Sequence, residues 1–458
     1  MTSATRKLFG TDGIRGIAGE FPLTTESTFL IGRALGHDLL KSNPKPRVVI
    51  GQDTRESSRW IADRLTLGLA SCKIEVQSAG VITTPGVAYL ARSQKFDAGV
   101  VISASHNPWT DNGIKVFSGD GFKLPDSREL AIEQEIFACL ETPHAHPEPQ
   151  SKPATSLPGE HALRAAYIRA LSKSVSTDLK SVRVLVDCAN GAATAEAPEL
   201  FRACGIQAEF MNVSPDGRNI NDGCGALHPQ HVAEQIARAA GKFDLGITFD
   251  GDADRALFSD AAGRVVNGDG VLLLAGRDMQ TRGRLRGDTV VSTTMSNMGL
   301  EIAFRNSGIR MLRANVGDKY VLEEMVKTGA VLGGEQSGHI IFRDGDATTG
   351  DGLLTALRVM EVMVRSGKSL AELISDLKVF PQRIQNIRVR EKVPFDQVPE
   401  VKRAIAAAER ELNGQGRVVV RYSGTEALAR VMVEAESEAT MNALTEGISS
   451  SIKNALGA

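Results

Sequence analysis

Short runs of β-branched and small apolar residues recur along the 458-residue chain, each closed by a polar or glycine-bearing loop. RVVIG (47–51), AGVVIS (98–103), VRVLVD (182–187), LGITFD (245–250), DTVVST (288–293) and AVLGG (330–334) have the length and bounded apolar character of buried strands. Between them lie stretches of helical periodicity, such as Ile31, Leu35 and Leu39 at i, i+4 and i+8. This alternation predicts βαβ units, largely parallel sheets and an α/β fold class.

Two of the runs align without a gap. FDAGVVISAS (96–105) and FDLGITFDGD (243–252) both read F-D-x-G, then an apolar strand, then a small polar loop, and GAVLGGEQSGH (329–339) has a similar outline. The echo predicts related domains, each presenting one loop at the carboxyl end of a strand, where open α/β sheets bind ligands. The tail runs in another order, a helical VKRAIAAAERELN (401–413) and then a strand RVVVRYS (417–423), which predicts a smaller α+β domain. The proline-rich, polar stretch 141–159 reads as a linker, and KVFPQ (378–382) as a further boundary. The expected division is 1–155, 156–257, 258–377 and 378–458.

Composition narrows the partners. The chain is too long for a single core. Its 42% hydrophobic and 24% charged content is ordinary for a globular protein, and a net charge of −2 argues against a nucleic-acid or bilayer partner. The five cysteines are odd in number and include no CxxC pair, so neither a disulfide framework nor a zinc site is expected. No apolar run approaches the ~18 residues that span a bilayer, and MTSATRKLFG carries no apolar signal core, so a cytoplasmic location is expected.

The candidate chemistry lies in the loops. TFDGDADR (248–255) places Asp250, Asp252 and Asp254 at i, i+2 and i+4, on one side of an extended segment. Three clustered carboxylates repel one another unless a cation lies between them, and an all-oxygen set suits Mg²⁺ before Mn²⁺. An EF-hand is excluded because Arg255 and Ala261 stand where that loop needs Gly and Glu. Asp254 also departs from the Thr or Val of the haloacid-dehalogenase motif. Three protein ligands leave an octahedral ion open to phosphate oxygens.

Such a phosphate points to VVISASHNPWTDNGIKV (100–116), where a buried strand runs into Ser105 and His106. No G-x-S-x-G elbow surrounds Ser105, which argues against a hydrolase nucleophile. A phosphoserine there adds about −1.5 to −2 charge, to be balanced by the metal and Arg255, with His106 orienting the phosphate. Arg15 in KLFGTDGIRG and Lys115 in DNGIKV are cations suited to flank a phosphoryl group. GGEQSGH (333–339) offers Glu335, Ser337 and His339, an acceptor and a hydroxyl spaced for a sugar diol. RYSGTE (421–426) offers Arg421, Ser423, Gly424 and Thr425, with Arg430 beyond, the parts of a phosphate clamp. His228 and His231 in HPQH read as surface or core histidines, since no third ligand accompanies them.

SASHNP, DGDADR, GEQSGH and RYSGTE, in that order from Phe9 to Arg430, resemble the phosphoserine, Mg²⁺, sugar-recognition and phosphate-binding loops of the α-D-phosphohexomutases. The resemblance covers nearly the whole chain. It implies four domains around a central cleft, the first three related α/β domains and the fourth a smaller α+β domain. It also implies phosphorylation at Ser105, one Mg²⁺ held by Ser105 through its phosphate and by the three aspartates, and Lys115 or His339 as the proton-moving group. GEQSGH, PDGRNINDGCGALHP (215–229) and MSNMGLE (295–301) are similar to the branch that acts on glucosamine phosphates. That branch interconverts glucosamine 6-phosphate and glucosamine 1-phosphate through a 1,6-bisphosphate, with glucosamine or glucose 1,6-bisphosphate as activator, on the way to UDP-N-acetylglucosamine. Sugar phosphates are then the expected partners, and a monomer or homodimer the expected assembly. Tyr422 and Ala427 stand where the family usually has proline. Glucose- or mannose-phosphate isomerisation remains open, as do a Mg²⁺-dependent phosphatase and a non-catalytic sugar-phosphate binding protein.

Overall fold

The computed structural model describes residues 7–10, 12–141, 160–345, 347–423 and 427–457. The chain forms two compact units, the first made of Met1–Thr294 and Leu312–Ile374, the second of Met295–Met311 and Ser375–Ala458. The expected linker at 141–159 falls almost wholly outside the described residues.

The first unit holds three sheets. In the first, strands run in the order Phe9–Gly10, Gly13–Ile17, Asp111–Ser118, Ala98–Ile102, Arg47–Gln52, Glu75–Val81. Arg47–Gln52 pairs in parallel with both Ala98–Ile102 and Glu75–Val81, while Ala98–Ile102 pairs antiparallel with Asp111–Ser118. In the second, Arg183–Asp187 is parallel to Leu245–Phe249, which pairs antiparallel with Ala256–Asp260. In the third, Thr289–Thr293 is parallel to Leu332–Gly334, which pairs antiparallel with Ile340–Phe342. The same device thus occurs three times: a central strand with a parallel neighbour on one side and its own hairpin return on the other. The sheets are mixed rather than largely parallel. The reason is loop length, because only Asp250–Arg255 separates Phe249 from Ala256, too few residues for the crossover that a parallel partner requires.

The sequence echo has a structural cause. Asp97 takes the Arg47 N–H on its carboxylate (2.8 Å), and its own N–H donates to the Arg47 carbonyl (2.8 Å). Asp244 repeats both bonds with Arg183, each also at 2.8 Å. Each aspartate therefore ties the start of a central strand to the start of its parallel neighbour. The preceding Phe96 and Phe243 are buried. The strands Ala98–Ile102 and Leu245–Phe249 are buried at every position, as continuous apolar runs dictate for strands covered on both faces.

The helices follow their apolar stripes. Ile31, Leu35 and Leu39 are buried along Thr25–Leu40, whose start is closed by a reciprocal Thr24–Ser27 capping box. Among the described residues no helix is long and apolar enough to cross a membrane. The five cysteines are free.

The second unit carries an antiparallel sheet of Gln382–Arg388, Leu428–Ala435 and Gly416–Tyr422. The helices Pro399–Leu412 and Glu438–Leu456 cover it, and Val401, Val431, Val433, Ile448 and Ile452 form the core between them. This is the α+β element order read from the tail.

Candidate active site

Ser105 lies at the carboxyl end of Ala98–Ile102 and adopts a left-handed backbone, φ +53°. That conformation costs a non-glycine residue of order 1–2 kcal/mol, so the surroundings must impose it. The Ser105 N–H donates to Ser103 Oγ (3.0 Å). Arg55 Nη2 donates to the carbonyls of Ser105 (3.1 Å) and Asn107 (2.6 Å), and Asn221 Nδ2 donates to the same two (2.9 and 3.2 Å). Arg55 is itself buried and ion-paired with Asp53. Arg55 stands in no sequence motif, and Asn221 lies in PDGRNINDGCGALHP without a role legible from the sequence. The Ser105 side chain is buried, and its Oγ donates to Asp250 Oδ2 (2.5 Å), with His106 Nδ1 3.4 Å away.

Asp250, Asp252 and Asp254 each bring one carboxylate oxygen within 4.8 Å of the others, and all three are buried. They converge through a turn, not an extended run, with Ala253 at φ +52°. Gly251 makes the close approach possible: a Cβ there would stand 2.5 Å from the Ser105 carbonyl oxygen. Asp252 Oδ1 and Asp254 Oδ1 are buried without a hydrogen-bond partner. Orphaned, clustered carboxylate oxygens fit a hard divalent cation. Burial, and then the charges of Asp254 and Asp252, push the Asp250 carboxyl well above its usual range. Burial works against the charge of Asp254 too, but Lys115, His339 and Arg255 together outweigh it and hold that carboxyl well below its usual range.

Lys115 Nζ lies 2.8 Å from Asp252 Oδ2, 3.5 Å from Asp254 Oδ2 and 3.0 Å from Asp12 Oδ2. Thr84 Oγ1 also donates to Asp252 Oδ2 (2.5 Å). His339 Nδ1 is 3.6 Å from Asp254 Oδ2, while its Nε2 accepts the Gly350 N–H (2.9 Å). The proton of its neutral ring therefore sits on Nδ1, facing the aspartate.

Beside this cluster opens a cavity of about 390 Å³, lined among others by Arg15, His106, Arg255, Glu335 and His339. Arg15 is ion-paired with Asp12 and reaches Asn107 Oδ1 (3.5 Å). Burial lowers the pKa of His106, and the neighbouring Arg255 and Arg15 add to that, which keeps the ring neutral. The Arg255 N–H donates to Asp250 Oδ1 (3.2 Å), and its guanidinium lies 3.8 Å from Asp254. Glu335 ends Leu332–Gly334, where its Oε1 takes the Gly317 N–H (3.0 Å). Ser337 is exposed at the tip of the same loop. The loops of three separate sheets thus meet at one cavity.

Arg421, Ser423 and Arg430 belong to the second unit. Arg421 and Arg430 stand directly opposite each other on antiparallel strands, a like-charge pairing that costs stability and that an anion offsets. Ser423 is buried, and Lys392 Nζ donates to its carbonyl (2.7 Å). Gly424 and Thr425 lie outside the described residues. Tyr422 is held by a stack on Phe395 (4.2 Å between centroids) and donates to the Val393 carbonyl (2.5 Å). His228 and His231 stack on each other, and among the described residues the three aspartates form the one cluster with metal-ligand geometry.

Four family profiles match in series. They are the phosphoglucomutase/phosphomannomutase alpha/beta/alpha domains I (6–142), II (165–263) and III (267–380) and the C-terminal domain (385–450). A phosphoglucosamine mutase of Koribacter versatilis is 61% identical over 100% of this chain and 99% of its own length. A phosphoglucomutase/phosphomannomutase family protein of Burkholderia thailandensis superposes with a TM-score of 0.77 at 23% identity, covering 98% of this chain and 99% of that one. The N-acetylphosphoglucosamine mutase of Aspergillus fumigatus, solved with GlcNAc-6P and magnesium, gives a TM-score of 0.63 at 18% identity over 98% and 96%.

Proposed function

The chain belongs to the phosphoglucosamine mutases, isomerases of the α-D-phosphohexomutase superfamily, and from that premise we propose that Ser105 is its phosphoryl carrier in the interconversion of glucosamine 6-phosphate and glucosamine 1-phosphate. The observation that carries this reading is the bond from Ser105 Oγ to Asp250 within the buried aspartate cluster, beside the cavity.

O1 and O6 lie at opposite ends of the sugar, so one fixed centre cannot pass a phosphoryl group between them. A carrier serine removes the difficulty. O1 of glucosamine 6-phosphate attacks the phosphorus on Ser105, the bond to Oγ breaks, and the proton of the attacking hydroxyl ends on Oγ. The resulting 1,6-bisphosphate turns end over end, and Ser105 takes the phosphoryl from O6, leaving glucosamine 1-phosphate.

Asp250, Asp252, Asp254 and the Ser105 phosphate would hold Mg²⁺, which supplies charge neutralisation at the transferring phosphoryl group. Arg15 and Arg255 bring guanidinium groups to the same cavity, and His106 orients the phosphate beside Oγ. Lys115 or His339 moves the proton of the attacking hydroxyl. Glu335 and Ser337 read the sugar hydroxyls, and Arg421, Ser423, Gly424, Thr425 and Arg430 hold the non-reacting phosphate. A trace of glucosamine or glucose 1,6-bisphosphate serves as activator. A cytoplasmic enzyme supplying UDP-N-acetylglucosamine synthesis, monomeric or homodimeric, with domains near 1–155, 156–257, 258–377 and 378–458, completes the reading.

The test compares kcat/KM for the 1-phosphates of glucosamine, glucose and mannose with Mg²⁺ and bisphosphate present. A preference of about a hundredfold for glucosamine, ~2.7 kcal/mol in transition-state binding, is expected. Equal or reversed preference would move the chain to the glucose/mannose branch.

A further inference from the structure

Lys123 belongs to none of the sequence motifs and does not line the 390 Å³ cavity. Its side chain is nevertheless partly buried, and its Nζ lies 2.6 Å from Asp12 Oδ1 and 2.6 Å from Asp318 Oδ2. Each of those aspartates lines the cavity and has a second task.

Asp12 turns its other oxygen to Lys115 (3.0 Å) and also pairs with Arg15. Asp318 opens the helix Asp318–Thr328, with Oδ2 3.7 Å from His339 Nε2. The residue before it, Gly317, has φ +124°, a conformation reserved for glycine, and its N–H holds Glu335 Oε1 at 3.0 Å. A displacement of Asp318 therefore swings the peptide that fixes Glu335.

The ion pairs and hydrogen bonds run as a chain from Asp318 through Lys123, Asp12, Lys115 and Asp254 to His339, with spacings of 2.6, 2.6, 3.0, 3.5 and 3.6 Å. Residues of all three sheets' loops take part. Lys123 joins the first sheet's side of the cavity to the third's.

We infer that Lys123 and Asp318 are positioning residues, a clasp that fixes the Gly317–Asp318 turn and so aims Glu335 into the cavity. The inference rests on the sugar-reading role proposed for Glu335. Lys123 acts through that residue and touches no substrate, so its loss should weaken sugar binding more than chemistry. Without the ammonium, Asp12 and Asp318 face each other as like charges and separate.

The experiment is steady-state kinetics of Lys123→Met, Lys123→Arg and Asp318→Asn with glucosamine 1-phosphate, Mg²⁺ and glucose 1,6-bisphosphate, with melting curves for each. Lys123→Met and Asp318→Asn are expected to raise KM about tenfold while kcat falls less than about threefold, and Lys123→Arg to recover most of the KM. A fall in kcat at unchanged KM, or equal losses in Lys123→Met and Lys123→Arg, overturns the clasp in favour of a purely structural ion pair. If Lys123→Met does not fold, Asp318→Asn, which keeps the side-chain shape, decides alone. A wild-type enzyme inactive on glucosamine 1-phosphate refutes the functional reading instead, and is seen before any variant is compared.

Discussion

Ser105 and Asp250, 145 residues apart in the chain, share a 2.5 Å hydrogen bond. The hydroxyl proposed as carrier thus rests on a carboxylate that also belongs to the aspartate cluster. Two loops from different sheets are held together by this bond. Removing the hydroxyl deletes the carrier without opening a charged gap. Ser105→Ala is expected to keep the wild-type melting temperature within a degree or two and to lose at least about a thousandfold in kcat. Incubation of wild type with labelled bisphosphate should label Ser105, and the variant should take up none.

Asp252 has one oxygen engaged by Lys115 and Thr84 and the other buried without a partner. Asp252→Asn preserves that shape and removes the charge. Mg²⁺ should raise the wild-type melting temperature, since a ligand that binds only the folded state stabilises it. The shift should shrink or vanish in Asp252→Asn, and kcat/KM should fall about 10²- to 10³-fold. Chelation of wild type should abolish turnover, and added Mg²⁺ should restore it. An unchanged thermal shift in the variant counts against the aspartates as metal ligands.

How the serine loop is braced was not legible in the sequence, although the serine itself was. Ser105 and the three aspartates stood out because each sits in a run of fewer than ten residues whose spacing carries meaning, and the fold brings them together. Arg55, Thr84, Lys123 and Asp318 are single polar residues outside every sequence motif, and Asp12 and Asn221 lie inside KLFGTDGIRG and PDGRNINDGCGALHP without a role legible there. Their roles come from tertiary partners between 50 and 195 positions away, from Arg55–Ser105 to Lys123–Asp318, and no periodicity records such pairs. The F-D echo was visible, but its cause, one aspartate tying two strand starts together, needed the register. Strand direction could have been read more closely: a six-residue loop after Phe249 already forbids a crossover. The aspartate spacing gave the right cluster for another reason, since a left-handed Ala253 brings the carboxylates together rather than strand geometry.

Arg55 is the main brace of the serine loop and is paired with Asp53 where neither side chain meets solvent. Arg55→Met leaves the Asp53 charge buried and uncompensated, a loss of about 3–5 kcal/mol. It also leaves the carbonyls of Ser105 and Asn107 with Asn221 Nδ2 as their remaining side-chain donor. Chemical denaturation should show the stability loss, and kcat should fall in whatever folded fraction remains. A variant as stable as wild type would show that Asn221 and Ser103 hold the left-handed turn without Arg55.

Glu196 sets a pH dependence of stability away from the catalytic loops. Burial pushes its carboxyl up to about 8, with the Thr83 N–H as a partial counterweight. An acid whose folded pKa lies above its unfolded value binds more protons when folded, so stability falls as pH rises from about 4.5 to about 8. Asp351, pushed up to about 6 by burial, acts in the same direction over a narrower window. Glu196→Gln should remove the larger part, leaving the variant more stable than wild type at pH 8–9 by on the order of a few kcal/mol and similar to it near pH 5. Parallel melting-temperature profiles for the two proteins between pH 5 and 9 would contradict this.

The missing side chain at Gly251 has a historical consequence. With its Cβ position 2.5 Å from the Ser105 carbonyl and 2.8 Å from Asn221 Nδ2, the loop of the second sheet is moulded against that of the first with no room for a methyl group. Loops of that kind cannot drift independently. A substitution that lifts the serine loop even slightly misplaces the carrier against its aspartates, and no change within the first sheet alone can restore the fit. The related α/β units of this chain would therefore have to be inherited, exchanged or redesigned as one block, and a chimera joining the first from one mutase to the second from a distant relative would fold as two sound halves around a mismatched seam.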